Sequence, residues 1–152
     1  MIISHAYKFI FLKTRKTAGT SIEIALSEFC GPDDIITPLA AEDESMRRES
    51  GFRGPQNTEV EERFYRLADK WKRFRTGRKK LHKNHAPARY IRKNIDSSIW
   101  DRYFTFCFER NPFDKAISRY YWSTREQEKR PEIDQFLDNV SKKMLSNWHI
   151  YT

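Results

Sequence analysis

The sequence predicts an α/β fold with a parallel sheet flanked by helices. Two short aromatic runs, residues 7–12 (YKFIFL) and 103–108 (YFTFCF), have the length and composition of buried strands. A polar loop and then a helical pattern follow each run. Strand–loop–helix, a charged insertion, then strand–helix is the order an α/β fold produces. In such folds the functional crevice lies beyond the carboxyl ends of the strands, and both polar loops fall there.

Each element has its own warrant. After the first strand and the loop 13–21, Ile22, Ile24, Ala25, Leu26 and Phe29 give a helical pattern that stops at Gly31-Pro32. Residues 31–80 read as a charged, partly mobile insertion. Glu42, Asp43, Glu44 and Glu49 make its first half acidic, and it has few large apolar side chains. Within it Val60, Phe64, Leu67, Ala68 and Trp71 recur at helical steps, which predicts an amphipathic helix over 59–74. A further helix is expected over 84–95, with Pro87 in its first turn. Asn111-Pro112-Phe113-Asp114 is a helix start: Asn as N-cap, Pro at the first helical position, Asp near the positive end. That helix is expected to reach about residue 128. Pro131 then opens another, with Ile133, Phe136, Leu137, Val140, Met144 and Leu145 on one face. Trp100, Tyr120, Tyr121 and Trp122 read as core rather than adenine-stacking groups, with one of them able to do both. Residues 1–152 form a single domain.

Composition narrows the function classes. The chain has 152 residues, 29 Lys and Arg against 21 Asp and Glu, and a net charge of +8. No apolar run approaches the ~20 residues a membrane-spanning helix needs. The opening residues do not form a secretory signal, because their apolar stretch is short and broken by Lys8. Cys30 and Cys107 match no metal or redox spacing and read as reduced thiols of a cytoplasmic protein. The positive excess points to an anionic partner. From residue 71 to 95 there are ten Lys or Arg and no acid, a run suited to a solvated face or to an anionic ligand.

The loop at 13–21 carries Lys13, Arg15 and Lys16, the hydroxyls of Thr17, Thr20 and Ser21, and Gly19, which lets a backbone approach an anion closely. Placed before a helix N-terminus, such a loop makes a phosphate cradle. It also fits a plain strand-to-helix turn capped by Thr20 or Ser21. It is not a Walker A loop, because Lys16 precedes the only glycine. The second strand supplies no Asp suited to Mg²⁺. An anion site without a metal site is the better description. Arg110, after the second strand, and Ser118, two turns into the next helix, suit one phosphate held from two sides. Arg110 equally suits a pairing with Asp114 or Glu109, with Ser118 as a small packing residue.

The two segments in this order, KTRKTAGTS at 13–21 and RNPFDKAIS at 110–118, resemble the sulfotransferase family that uses 3′-phosphoadenosine 5′-phosphosulfate (PAPS). The likeness is nearest to the carbohydrate sulfotransferases and their bacterial relatives. It covers residues 7–29 and 84–128 well and the insertion poorly. It implies a three-layer architecture similar to P-loop nucleotide-binding proteins, and transfer without a metal. Arg15, Lys16, Thr17, Gly19, Thr20 and Ser21 would then hold the 5′-phosphosulfate, and Arg110 and Ser118 the 3′-phosphate. His85 stands where related enzymes place a base, and Lys16 would stabilise the leaving oxygen. The reaction implied is in-line displacement of a sulfuryl group onto an acceptor hydroxyl, in the first instance on a carbohydrate. The chain departs from the family in carrying Glu109 before Arg110 and in stopping at Thr152, so the resemblance implies a member short at its C-terminus. Two other functions compete. One is a non-catalytic basic protein for acidic polysaccharide or nucleic acid, although no specific nucleic-acid-reading module is present. The other is a nucleotide kinase-like enzyme, against which the absent GK[ST] argues.

Overall fold

The computed structural model describes residues 1–152, with the exception of the Lys143 side chain. The two predicted strands are found as β2 (Phe9–Leu12) and β4 (Phe104–Cys107), and they pair in parallel from Phe9↔Phe104 to Leu12↔Cys107. The sheet as a whole is mixed, which corrects the expected all-parallel arrangement. Strand β1 (Ile2–Ser4) forms an antiparallel hairpin with β2, and β3 (Ile35–Ile36) pairs antiparallel with β1, giving the order β3-β1-β2-β4. The reason is local. A tight turn, with Lys8 at φ 55°, folds the apolar residues Ile2 and Ile3 back beside Phe11 and Ile10. β4 is an edge strand rather than a fully buried one, and Phe104 is 71% exposed.

Helices cover both faces of the sheet. Between β2 and β3 runs α1 (Gly19–Ser27), whose Ile22 and Leu26 pack with Ile2, Phe11, Cys30 and Ile36. Its cap is Ala18, in the left-handed region, and not Thr20 or Ser21. On the other face Met1, Ile3, Ile10 and Leu12 meet Ala88, Ile91 and Ile95. These come from α4 (Ala88–Arg92) and the turn after it, before α5 (Ser97–Arg102). α4 is shorter than the helix expected over 84–95. His85 has φ 52° and Pro87 is extended, so no helix passes through them.

The segment 31–80 supplies β3, α2 (Ala41–Glu49), a short 3₁₀ turn (Glu62–Phe64) and α3 (Leu67–Thr76). The predicted amphipathic helix is thus shorter and differently oriented. Val60 is buried, yet Leu67, Trp71 and Phe74 face outward. After β4 come α6 (Pro112–Ser123), α7 (Ile133–Asn139), α8 (Lys142–Leu145) and α9 (Trp148–Tyr151). Asn111 caps α6 through a bond from the Phe113 amide, as its sequence predicts. α6 ends at Ser123, where the Thr124 hydroxyl bonds back to the Tyr120 carbonyl. The helix expected after Pro131 is broken at Val140, whose backbone is extended, so its six apolar residues do not share one continuous face.

Candidate active site

The loop between β2 and α1 is fixed from several sides. The Thr14 hydroxyl donates to the carbonyl of Phe108, after β4, and meets the Thr17 hydroxyl at 2.8 Å. The Arg15 amide donates to Asn147 Oδ1 at 2.9 Å, while Asn147 Nδ2 donates to the Arg15 carbonyl at 3.0 Å and to the Glu109 carboxylate. One buried side chain just before α9 therefore ties the two polar loops together. Lys16 and Ala18 both have positive φ, 61° and 58°. Two such residues within three positions store backbone strain that these fixed contacts hold in place.

Gly19 is required where it stands. A Cβ there would lie 2.9 Å from Lys13 Cγ and 3.2 Å from the Thr14 carbonyl oxygen. Lys13 runs beneath it and is buried. Its Nζ lies 3.1 Å from Glu23 of α1, so its charge is already matched. Glu23 is fully buried, and Arg47 of α2, also fully buried, stands 3.8 Å away. Burial alone would raise the Glu23 carboxyl, but the N-terminal ammonium and Lys13 outweigh it and hold the group below its usual range.

The other cations of the site have no such match. A cavity of about 500 Å³ opens at the carboxyl end of β2. The loop from Lys13 to Thr20 forms one wall, His85 a second, and Arg119 and Trp122 of α6 a third. Among the described residues no carboxylate lines it. Lys16 Nζ lies 5.3 Å from the centre of the Trp122 ring, and the Arg119 guanidinium 5.1 Å from the same ring. Arg119 is buried, and its Nε has no hydrogen-bond partner among the described residues. Burial and then Arg119, Arg125 and Arg110 push the Lys16 ammonium down, and burial and Arg15 do the same to Arg119. Among the described residues these crowded cations have no counter-charge in a partly desolvated cleft, an environment that an anion would relieve.

His85 completes the wall. Its Nδ1 is 2.9 Å from the Lys13 carbonyl oxygen. A carbonyl only accepts, so Nδ1 carries the proton and Nε2 keeps its lone pair. Burial, with help from Lys13 and Arg15, lowers the ring to about 4. At neutral pH the imidazole is uncharged and able to accept a proton.

The structure thus brings Arg15, Lys16, Gly19, Thr20 and His85 to one cavity. Thr17 is buried beneath the loop, its hydroxyl engaged with Thr14. Ser21 is exposed and outside the lining. Arg110 is exposed and Ser118 half-buried, and neither lines the cavity, although Arg110 acts on Lys16 through its charge. Trp122 is a wall of the site and not core. Arg119, Asn147 and Glu23 escaped the sequence reading. The signal for Arg119 was its spacing from Lys115. The two stand four apart on the buried side of α6, while Phe113, Ile117 and Tyr121 face solvent. Among the described residues no group of three His, Cys, Asp or Glu is placed to hold a metal ion.

Fold and cavity together define an α/β protein with a cationic cleft beside the loop that follows β2, lined among the described residues by no carboxylate. The chain belongs to the sulfotransferase family, which matches residues 1–148. It is also similar to an uncharacterized protein of Archaeoglobus fulgidus, 46% identical over 39 residues, which is 26% of this chain and 32% of that protein. The match therefore spans about a third of the archaeal protein's length. No solved structure matches the chain. No described helix is long and apolar enough to cross a membrane.

Proposed function

We propose that this protein transfers a sulfuryl group from PAPS to an acceptor hydroxyl. One observation carries the reading: Lys16 and Arg119, without a carboxylate partner, face one cleft together with the neutral, Nδ1-protonated His85. The size and charge of that cleft suit an anionic nucleotide. PAPS supplies the sulfuryl group on an anhydride whose cleavage leaves adenosine 3′,5′-bisphosphate. The chain's own residues have three tasks.

Lys16, Arg119 and the loop amides bind the phosphosulfate and stabilise the charge that grows on the bridging oxygen. One preorganised donor of this kind contributes about 3–4 kcal/mol. His85 Nε2 takes the proton of the attacking hydroxyl as its oxygen bonds to sulfur and the sulfur–oxygen bond to the nucleotide breaks. The loop, held by Asn147, keeps these groups aligned. Arg110 and Ser118 are assigned to the 3′-phosphate on their likeness to the family motif. The same likeness favours a carbohydrate hydroxyl as acceptor.

The electrostatics of His85 fit this sequence of events. Burial, and after it the charges of Lys13 and Arg15, depress its proton affinity in the free protein. An anionic donor in the cleft offsets those charges and raises it, so the base strengthens when the donor is in place. The test is a calorimetric titration with adenosine 3′,5′-bisphosphate and with AMP, followed by transfer from sulfur-labelled PAPS to a panel of sugars. Preference for the bisphosphate that is lost in Arg110→Ala, and label transfer that is lost in His85→Gln, are the expected results. Equal and negligible binding of both nucleotides would refute the reading.

A further inference from the structure

Helix α3 is mounted with its polar side inward. Leu67, Trp71 and Phe74 stand at i, i+4 and i+7 and so form one stripe. They are 85%, 63% and 90% exposed. The opposite side holds the helix to the domain. Asp69 accepts a bond from Lys80 Nζ at 2.6 Å and another from the Arg66 amide, and Arg73 pairs with Glu62. An ordinary surface helix does the reverse.

Cations border the stripe. Lys70 flanks it on one side and Arg75 on the other, with Arg75 5.4 Å from the Trp71 ring centre. Residues 70–83 contain eight Lys or Arg and no acid. Among the described residues, Lys70, Lys72, Arg75 and Arg78 have no carboxylate partner.

We propose that α3 docks this protein on an anionic lipid bilayer. Leu67, Trp71 and Phe74 enter the boundary between headgroups and acyl chains, and Lys70 and Arg75 meet lipid phosphates beside them. Charge complementarity selects this occupant. An apolar stripe with a cationic border is the composition of a helix lying in a membrane interface, and long basic side chains reach back to the headgroups from its edges. A second copy of the same face is disfavoured, because a two-fold contact would bring both sets of unpaired cations together. Nucleic acid would satisfy the cations but leave Leu67 and Phe74 without an apolar partner. A protein groove that envelops a helix is excluded by the inner contacts to Lys80 and Glu62. The proposal is independent of the transfer chemistry.

The intact protein is sedimented with vesicles of phosphatidylcholine, with and without one-third phosphatidylglycerol. Binding is expected only with phosphatidylglycerol. Leu67→Ser/Trp71→Ser/Phe74→Ser should lower it by about tenfold or more, and Lys70→Glu/Arg75→Glu similarly. All five side chains are outward, and thermal melts check that the variants fold. Brominated lipid should quench indole fluorescence in the parent, and Trp71→Phe should remove that quenching while binding persists. Failure of the parent to bind vesicles overturns the proposal. So does equal binding by the triple variant, which would mean adsorption through charge alone. An oligomer in vesicle-free buffer that the triple substitution dissolves would assign the stripe to a second copy instead.

Discussion

His85 Nδ1 donates to the backbone carbonyl of Lys13, 2.9 Å away, and this single contact sets which nitrogen of the ring carries the proton and which keeps its lone pair. The bond fixes the tautomer without a carboxylate, so the ring gains orientation but no anionic support. Its lowered value, about 4, follows from burial and the cations around it. Two results are expected. In nitrogen-15 NMR the free protein should show His85 neutral down to about pH 4, and adenosine 3′,5′-bisphosphate should move its titration upward. The acid limb of kcat/KM for the free enzyme should lie well below pH 6.5. A His85 that titrates near 6.5 with and without nucleotide contradicts the coupling.

Arg119 separates stability from function. Its guanidinium is buried with an unpartnered Nε, against a tryptophan and near Lys16. Arg119→Met keeps much of the volume and removes an unmatched charge. The variant should melt at the same temperature or higher, because replacing an unpaired buried ion with an apolar group is often neutral or stabilising. Bisphosphate affinity should fall at least roughly tenfold, the effect of about 1.4 kcal/mol. A variant that unfolds would show Arg119 to be a packing element instead.

The parts of this protein that were legible in its sequence obey short-range rules. The two aromatic runs pair as predicted, and Asn111 caps α6, because strand composition and capping chemistry are local. Arg15, Lys16, Gly19 and Thr20 of the loop and His85, residues the sequence singles out, line one cavity, whereas Thr17 and Ser21 do not. Residues whose role depends on a distant partner were not legible. Glu23 looks like a solvent-facing helix residue until Lys13 and Arg47 are placed around it. Asn147 acts through a clamp on Arg15, 132 positions away. The inward and outward faces of α3 and α6 depart from their sequence patterns for a shared reason. Both turn charged side chains inward and leave apolar ones outside, the opposite of what periodicity assumes.

Acid should weaken the fold from a particular pH. His82 and His85 are both lowered to about 4 by burial, against 6.5 when unfolded. As pH falls through 6.5 the unfolded chain takes up these protons and the folded chain does not. Each histidine's contribution is therefore fully present above about 6.5 and lost progressively toward 4. For the more buried His82 the loss is up to about 3 kcal/mol over that window. Urea midpoints measured from pH 7.5 to 4.5 should fall accordingly, and His82→Phe should flatten the slope.

Glu23 offers the sharpest test of how the cleft is supported. Among the described residues it is the one carboxylate paired with Lys13, which lies under Gly19 and whose carbonyl accepts from His85 Nδ1. Glu23→Leu leaves Lys13 and Arg47 buried with a surplus of positive charge. Breaking a buried pair in this way costs about 3–5 kcal/mol, more than the pair contributes when intact. Adding Lys13→Met should return part of that loss, because the uncompensated ammonium goes with it. Urea unfolding of both single variants and the double variant gives the coupling energy. Donor affinity then distinguishes support from chemistry. If Lys13 acts only by shaping the loop, the double variant should regain bisphosphate binding along with stability. If its ammonium also touches the donor, stability should return and binding should not.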